Sequence, residues 1–165
     1  MSGVRVTGFA PIYDADCTVL LLGTMPSPAS VAAGMYYSHP QNAFWRLLSQ
    51  LTGDDAGMTA AEKTAFLLRN HIALWDTLQS CERENALDSE IRAQQPNDVA
   101  ALTRQCPLLR AVFLNGGAAY SYYRKFHRAQ ITLAYFMLPS SSPTNCTGGY
   151  EKKLAGWMAL KPYLG

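Results

Sequence analysis

Charge is scarce in this sequence of 165 residues: 14 Lys and Arg stand against 12 Asp and Glu, a net of +2, and charged residues make up 16%. That balance excludes a polycation that holds nucleic acid by bulk charge, so any such contact has to come from a local patch. Long apolar runs are missing too. Stretches such as Val19 to Leu22 fall far short of the roughly 20 residues that a membrane helix needs. Met1 to Ala10 holds one Arg and no apolar core of a signal peptide. The expectation is a soluble cytoplasmic protein with no membrane partner. The four cysteines (Cys17, Cys81, Cys106 and Cys146) contain no C-x-x-C pair. This spacing argues against a structural zinc or iron–sulfur site, and the cysteines read as reduced, small hydrophobes. No metal and no cofactor is expected. Repeats, low-complexity tails and linkers are also absent, so residues 1–165 read as a single domain.

What the sequence does have is core material. Hydrophobic residues reach 48%, with six Phe, nine Tyr and three Trp, and a chain of this size buries roughly 70% of its unfolded surface. Four apolar runs stand out: Thr18 to Gly23, Ile72 to Trp75, Ala111 to Asn115 and Ile131 to Leu138. The first three lack alternation, as strands buried on both faces of a parallel sheet do. Helical spacing lies between them, in Asn42 to Leu51 and in Thr59 to Arg69, where Thr59 and Glu62 make a capping box. Asn97-Asp98 and the glycine pairs Gly116-Gly117 and Gly148-Gly149 each lead into a further helical segment. Alternating strand and helix predicts an α/β domain, a three-layer α/β/α arrangement around a small, mainly parallel four-stranded sheet. The polar stretch Ser80 to Pro96 reads as a surface excursion with a short helix.

In open α/β sheets ligands sit beyond the carboxyl ends of the strands, and here those ends carry unusual chemistry. The first strand runs into Gly23-Thr24-Met25-Pro26-Ser27 and then a loop ending Tyr36-Tyr37-Ser38-His39-Pro40-Gln41-Asn42-Ala43-Phe44-Trp45. Asp76-Thr77 follows the second strand, and Pro139-Ser140-Ser141-Ser142-Pro143-Thr144-Asn145 follows the fourth. Glycine, proline and small residues make a rigid loop with backbone amides free to meet a ligand. Short hydroxyls and amides suit phosphate oxygens, and paired tyrosines offer a flat stacking surface. Each piece also has a plainer role: Tyr36 and Tyr37 as half-buried aromatics, His39 as a structural histidine, Asn42 as a helix cap, Asp76 as a cap for backbone amides and the serines as a turn.

Taken in order, Gly23 to Ser27 and Tyr36 to Trp45 resemble the first motif of the uracil-DNA glycosylase superfamily, closest to its hypoxanthine-DNA (deoxyinosine) and mismatch-specific branches. Leu138 to Asn145 resembles the second motif, the loop that pinches the DNA backbone. Leu74-Trp75-Asp76-Thr77-Leu78, with Cys81-Glu82-Arg83, is similar to the middle segment of the hypoxanthine branch. Two positions depart. Mismatch-specific relatives carry an asparagine, and uracil-excising relatives an aspartate, where this sequence has Met25; the latter also carry a histidine where it has Leu138. These differences argue against efficient uracil excision by their route.

The resemblance implies a monomeric DNA repair glycosylase that flips a deaminated base, hypoxanthine first, out of damaged or mismatched DNA and hydrolyses its N-glycosidic bond. Asn42 is implied as the catalytic residue. Gly23, Thr24, Met25, Pro26, Tyr37, His39 and Asp76 form the implied base site, and Ser140, Ser141, Ser142, Pro143 and Asn145 the grip on the DNA backbone. Lys152, Lys153, Arg124, Lys125 and Arg128 are candidates for flanking phosphates or for a solvated face. Two further readings of the same fold are a mismatch- or uracil-specific glycosylase and a non-catalytic damaged-DNA-binding domain. A serine hydrolase using the serine run fits worst, since no G-x-S-x-G elbow is present.

Overall fold

The computed structural model describes residues 4–83, 91–143 and 148–164. Its centre is a four-stranded parallel sheet in the order β3-β2-β6-β7, formed by β2 (Val19–Gly23), β3 (Ile72–Asp76), β6 (Ala111–Asn115) and β7 (Ala134–Leu138). Leu21 faces Leu74 on one side and Phe113 on the other. The first three strands are apolar on both faces because helices cover both. Val19, Leu21, Leu74 and Phe113 pack with Phe44, Leu47, Leu48, Phe66 and Trp157. These last come from α2 (Phe44–Thr52), α3 (Ala60–Arg69) and α6 (Gly149–Trp157). Leu20, Leu22, Val112 and Leu114 pack in the other direction with Val99, Leu102, Ala119 and Tyr123, from α4 (Val99–Gln105) and α5 (Gly117–Phe126). Alternate positions along each of these strands thus feed two separate cores, and the three-layer α/β/α arrangement follows. A short helix, α1 (Pro28–Ala33), leaves the loop after β2. Among the described residues no helix is long and apolar enough to cross a membrane.

Local chemistry sets the helix ends. Thr59 accepts from the Glu62 amide while the Glu62 carboxylate accepts from the Thr59 amide, the expected capping box. Asp98 Oδ1 accepts from the Ala101 amide at 3.1 Å and starts α4. Gly116 holds φ at +95° where β6 turns into α5, and a Cβ there would press on Ser140 at 3.0 Å.

The Ser80 to Pro96 stretch differs from expectation. Its described parts are strands: β4 (Leu78–Arg83) and β5 (Arg92–Pro96), which join β1 (Val4–Thr7) in an antiparallel sheet ordered β1-β4-β5. Leu78 and Cys81 pack with Ile91 and bury one face of it. Only two apolar anchors in a polar stretch are too few to announce a strand without knowledge of its partners. β7 is shorter than its apolar run, and as the sheet's edge it leaves Phe136 and Met137 exposed.

Trp157 ties the last helix to the fourth strand's exit: its Nε1–H donates to the Pro139 carbonyl at 2.7 Å. Trp157→Phe should keep the ring and orphan that carbonyl, lowering unfolding free energy by about 1–3 kcal/mol in urea titration.

Candidate active site at the strand ends

The strand order reverses between β2 and β6, which is where an open α/β sheet leaves a crevice. A cavity of about 410 Å³ lies there, within the usual range for a small-molecule site. Loops after all four parallel strands contribute to its walls, through Gly23, Asp76, Asn115 and Ser140 among others.

Its floor depends on a missing side chain. Gly23 pairs with Asp76 across β2 and β3, and a Cβ on Gly23 would lie 2.4 Å from Tyr37 Oη and 2.7 Å from Asp76 Oδ1. The phenol and the carboxylate therefore both close over the Gly23 α-carbon. Asp76 is only 3% exposed, and its backbone is fixed by Asn97, whose Nδ2 donates to the Asp76 carbonyl at 2.8 Å. The loop then continues through the buried Thr24 and Pro26, with Met25 packed against Leu78, Cys81 and Ile91 of the second sheet.

The two tyrosines part company. Tyr36 turns inward: its hydroxyl donates to the Ala10 carbonyl at 2.8 Å, and burial, with the Asp76 carboxylate nearby, raises its pKa far above the usual phenol. Tyr37 lines the cavity. Its backbone takes a left-handed φ of +53°, and its ring lies on the buried Phe44 at 3.9 Å between centroids and 16° between planes. Phe44 backs a flat wall.

Asn42 sits between the start of a helix and the cavity. Its Oδ1 accepts from the Phe44 amide at 3.0 Å at the start of α2, while the residue lines the cavity. That bond occupies the carbonyl end and leaves the Nδ2 hydrogens as donors. His39 behaves similarly. Its Nδ1 accepts from the Gln41 amide at 3.1 Å, so the hydrogen of this ring sits on Nε2.

The serine loop is held from behind. Asn115 clasps Ser141 with two bonds of 2.9 Å, Nδ2 to the hydroxyl and the Ser141 amide to Oδ1. The Ser141 carbonyl accepts from the Ala43 amide at 3.0 Å. Ser141 is fully buried, so its side chain shapes the loop, while Ser140, Ser142 and Pro143 are half-buried on the cavity wall. Lys153, read as a surface cation, is likewise buried, with Nζ on the Ser142 carbonyl at 3.0 Å. Asn145 lies outside the described residues. Arg124 and Arg128 stand against Tyr120 and Tyr135 and do not line the cavity.

Sequence reasoning missed Asn115 and Arg83. Asn115 had a signal, as the polar residue ending an apolar strand. His127 is accounted for structurally: buried, its pKa lowered by desolvation, it donates Nε2–H to the Thr77 carbonyl at 2.9 Å. Ser141 is hydrogen-bonded to Asn115 rather than to a histidine. Among the described residues no three His, Cys, Asp or Glu gather as metal ligands would.

An α/β sheet with a crevice at its switch point, walled by an aromatic, a buried carboxylate and a clamped serine loop, defines a pocket for a planar polar group. The profile of the Uracil DNA glycosylase superfamily matches residues 10–161. The chain is 34% identical over 114 residues to the hypoxanthine DNA glycosylase of Methanosarcina barkeri, covering 68% of this chain and 72% of that protein. It is 36% identical over 116 residues to the hypoxanthine DNA glycosylase of Methanosarcina acetivorans, covering 70% and 73%. A solution NMR structure of an M. acetivorans protein, described as a candidate uracil DNA glycosylase, superposes with a TM-score of 0.85 at 31% identity over 98% of this chain and 99% of that one. The chain belongs to the uracil DNA glycosylase superfamily and is a DNA N-glycosylase.

Gly23→Ala should leave a folded protein whose Tyr37 and Asp76 are pushed off the floor. Base release measured in single turnover should fall by about 100-fold, the scale that a misplacement of roughly 1 Å produces.

Proposed function

We propose that this glycosylase acts on hypoxanthine in DNA, flipping deoxyinosine into the cavity and hydrolysing the bond from its base to C1′. The observation that carries the reading is the buried Asp76 carboxylate beside Gly23 and Tyr37. An ionised carboxylate accepts only. It therefore suits the ring N–H of hypoxanthine and rejects adenine, which has none at that edge. The names of the two archaeal relatives agree with this choice.

The base leaves the stack at a cost of a few kcal/mol, least for a weak pair, and lies against Tyr37 with Phe44 behind it. Asn42 Nδ2 donates to the base or holds the attacking water, and His39 Nε2–H is a further donor at the rim. As the bond breaks, positive charge grows on the sugar and negative charge on the base. The backbone N–H groups of the Gly23 to Ser27 loop, Pro26 excepted, stabilise that negative charge in this reading. Water adds its oxygen to C1′, and its proton ends on the freed base. Ser140, Ser142 and Pro143, together with Asn145 of the same motif, hold the DNA backbone while Ser141 keeps their loop in shape. We take the enzyme to work as one domain, a cytoplasmic monomer without cofactor.

A duplex with one deoxyinosine should release hypoxanthine and become alkali-labile at that site. Asn42→Ala should slow release at least about 100-fold, as loss of a positioned proton donor or water ligand does. Release of uracil alone would replace the substrate reading, because uracil also presents a ring N–H. Tight binding with no base released from inosine, uracil, xanthine or mismatched duplexes would instead leave a non-catalytic domain. Asp76→Asn supplies a donor as well as an acceptor, and its preference for deoxyinosine over deoxyadenosine should shrink by about tenfold or more, read from competing single-turnover rates.

A further inference from the structure

One charge is buried where the second sheet backs the Gly23 to Ser27 loop. Arg83 ends β4 at 4% exposure, and its guanidinium donates to the Pro26 carbonyl. A guanidinium is costly to bury without a partner, and this one does not line the cavity, so what it touches on the site is loop backbone. Among the described residues, further contacts between the second sheet and this loop are neutral. The Leu78 amide donates to the Thr24 carbonyl at 3.4 Å, Met25 packs on Leu78 and Cys81, and Pro26 closes on Gly8.

We propose that Arg83 is a positioning residue for bond cleavage: it holds the Pro26–Ser27 peptide with its amide, not its carbonyl, turned to the cavity, and adds positive potential where the leaving base becomes negative. A trans peptide carries its C=O and N–H in opposite directions, and the described residues contain no cis bond. Drawing the Pro26 oxygen toward Arg83 points the Ser27 N–H the other way, and both residues line the cavity wall. The bond is charge-assisted, hence stronger and more directional than a neutral one. Its effect belongs to the transition state, because charge on the base appears only as the bond breaks. The inference rests on the excision chemistry proposed above.

Arg83→Gln keeps a donor and loses the charge; Arg83→Lys keeps the charge and loses the planar fork. Both are compared with the unaltered full-length protein in three measurements: maximal single-turnover release, Kd for the same duplex carrying a 2′-fluoro sugar that resists cleavage, and Tm. Release is followed on whichever base the unaltered protein excises, so a wrong substrate shows in that protein and a wrong role for Arg83 in the ratio. Arg83→Gln should lower the maximal rate about 10- to 100-fold with Kd within about threefold, and Arg83→Lys should lie about two- to fivefold below the unaltered rate at unchanged Kd. A folded Arg83→Gln with a rate within threefold overturns the assignment. So does a loss that appears equally in Kd, or an Arg83→Lys as slow as Arg83→Gln. Where Arg83→Gln does not fold, Arg83→Lys decides: a rate equal to the unaltered protein's overturns it.

Discussion

Everything around this cavity is arranged about the crowding over Gly23. Parallel pairing of β2 with β3 sets Gly23 beside Asp76, and the absent Cβ lets the carboxylate and the Tyr37 hydroxyl occupy space that any other residue would fill. Tyr37 reaches that position only with a left-handed backbone and with its ring laid on Phe44. Phe44 in turn opens α2, whose start Asn42 caps. The Tyr37 ring, the Asp76 carboxylate and the Asn42 amide are thus joined through one close approach, and none can move far without the others.

The opposite wall is held by a different device. A loop of three serines has no stiffness of its own, and four groups from three parts of the chain supply it: the Asn115 clasp, the Ala43 amide, and the Lys153 ammonium and Trp157 indole of α6. Each bond ties a loop backbone group or Ser141 to buried structure. The serine and proline side chains that remain can then meet a phosphate without an ordering cost at the moment of binding. This fits a chain with a net charge of only +2. In the proposed reading, preset hydroxyls and amides grip the DNA backbone locally, and a small net charge keeps non-specific affinity low.

The parallel sheet was legible because its first three strands are buried on both faces and read as unbroken apolar runs, and because Thr59 with Glu62 marks a helix start wherever it stands. The strand ends were legible as chemistry, since Gly23, Asp76 and the serine run interrupt apolar segments. The second sheet was not. Cys81 and Arg83 pair with β1, some 75 residues earlier in the chain, and Leu78 with β5 across a register shift, and no local period reveals partners of that kind. Neither could sequence tell three adjacent serines apart, nor Lys152 from Lys153. The fold buries Ser141 and Lys153 and leaves their neighbours outside, a consequence of where α6 crosses the loop.

The central claim is that a flipped base lies on the Gly23 floor with its ring N–H on Asp76. A crystal structure of the full-length protein with a duplex holding one 2′-fluoro-deoxyinosine, which resists cleavage, tests it most directly. The account predicts the base out of the stack, its ring against Tyr37, and its N1 within about 2.7–3.2 Å of the Asp76 carboxylate. A base still stacked in the duplex, or flipped into a position that Asp76 does not reach, contradicts it.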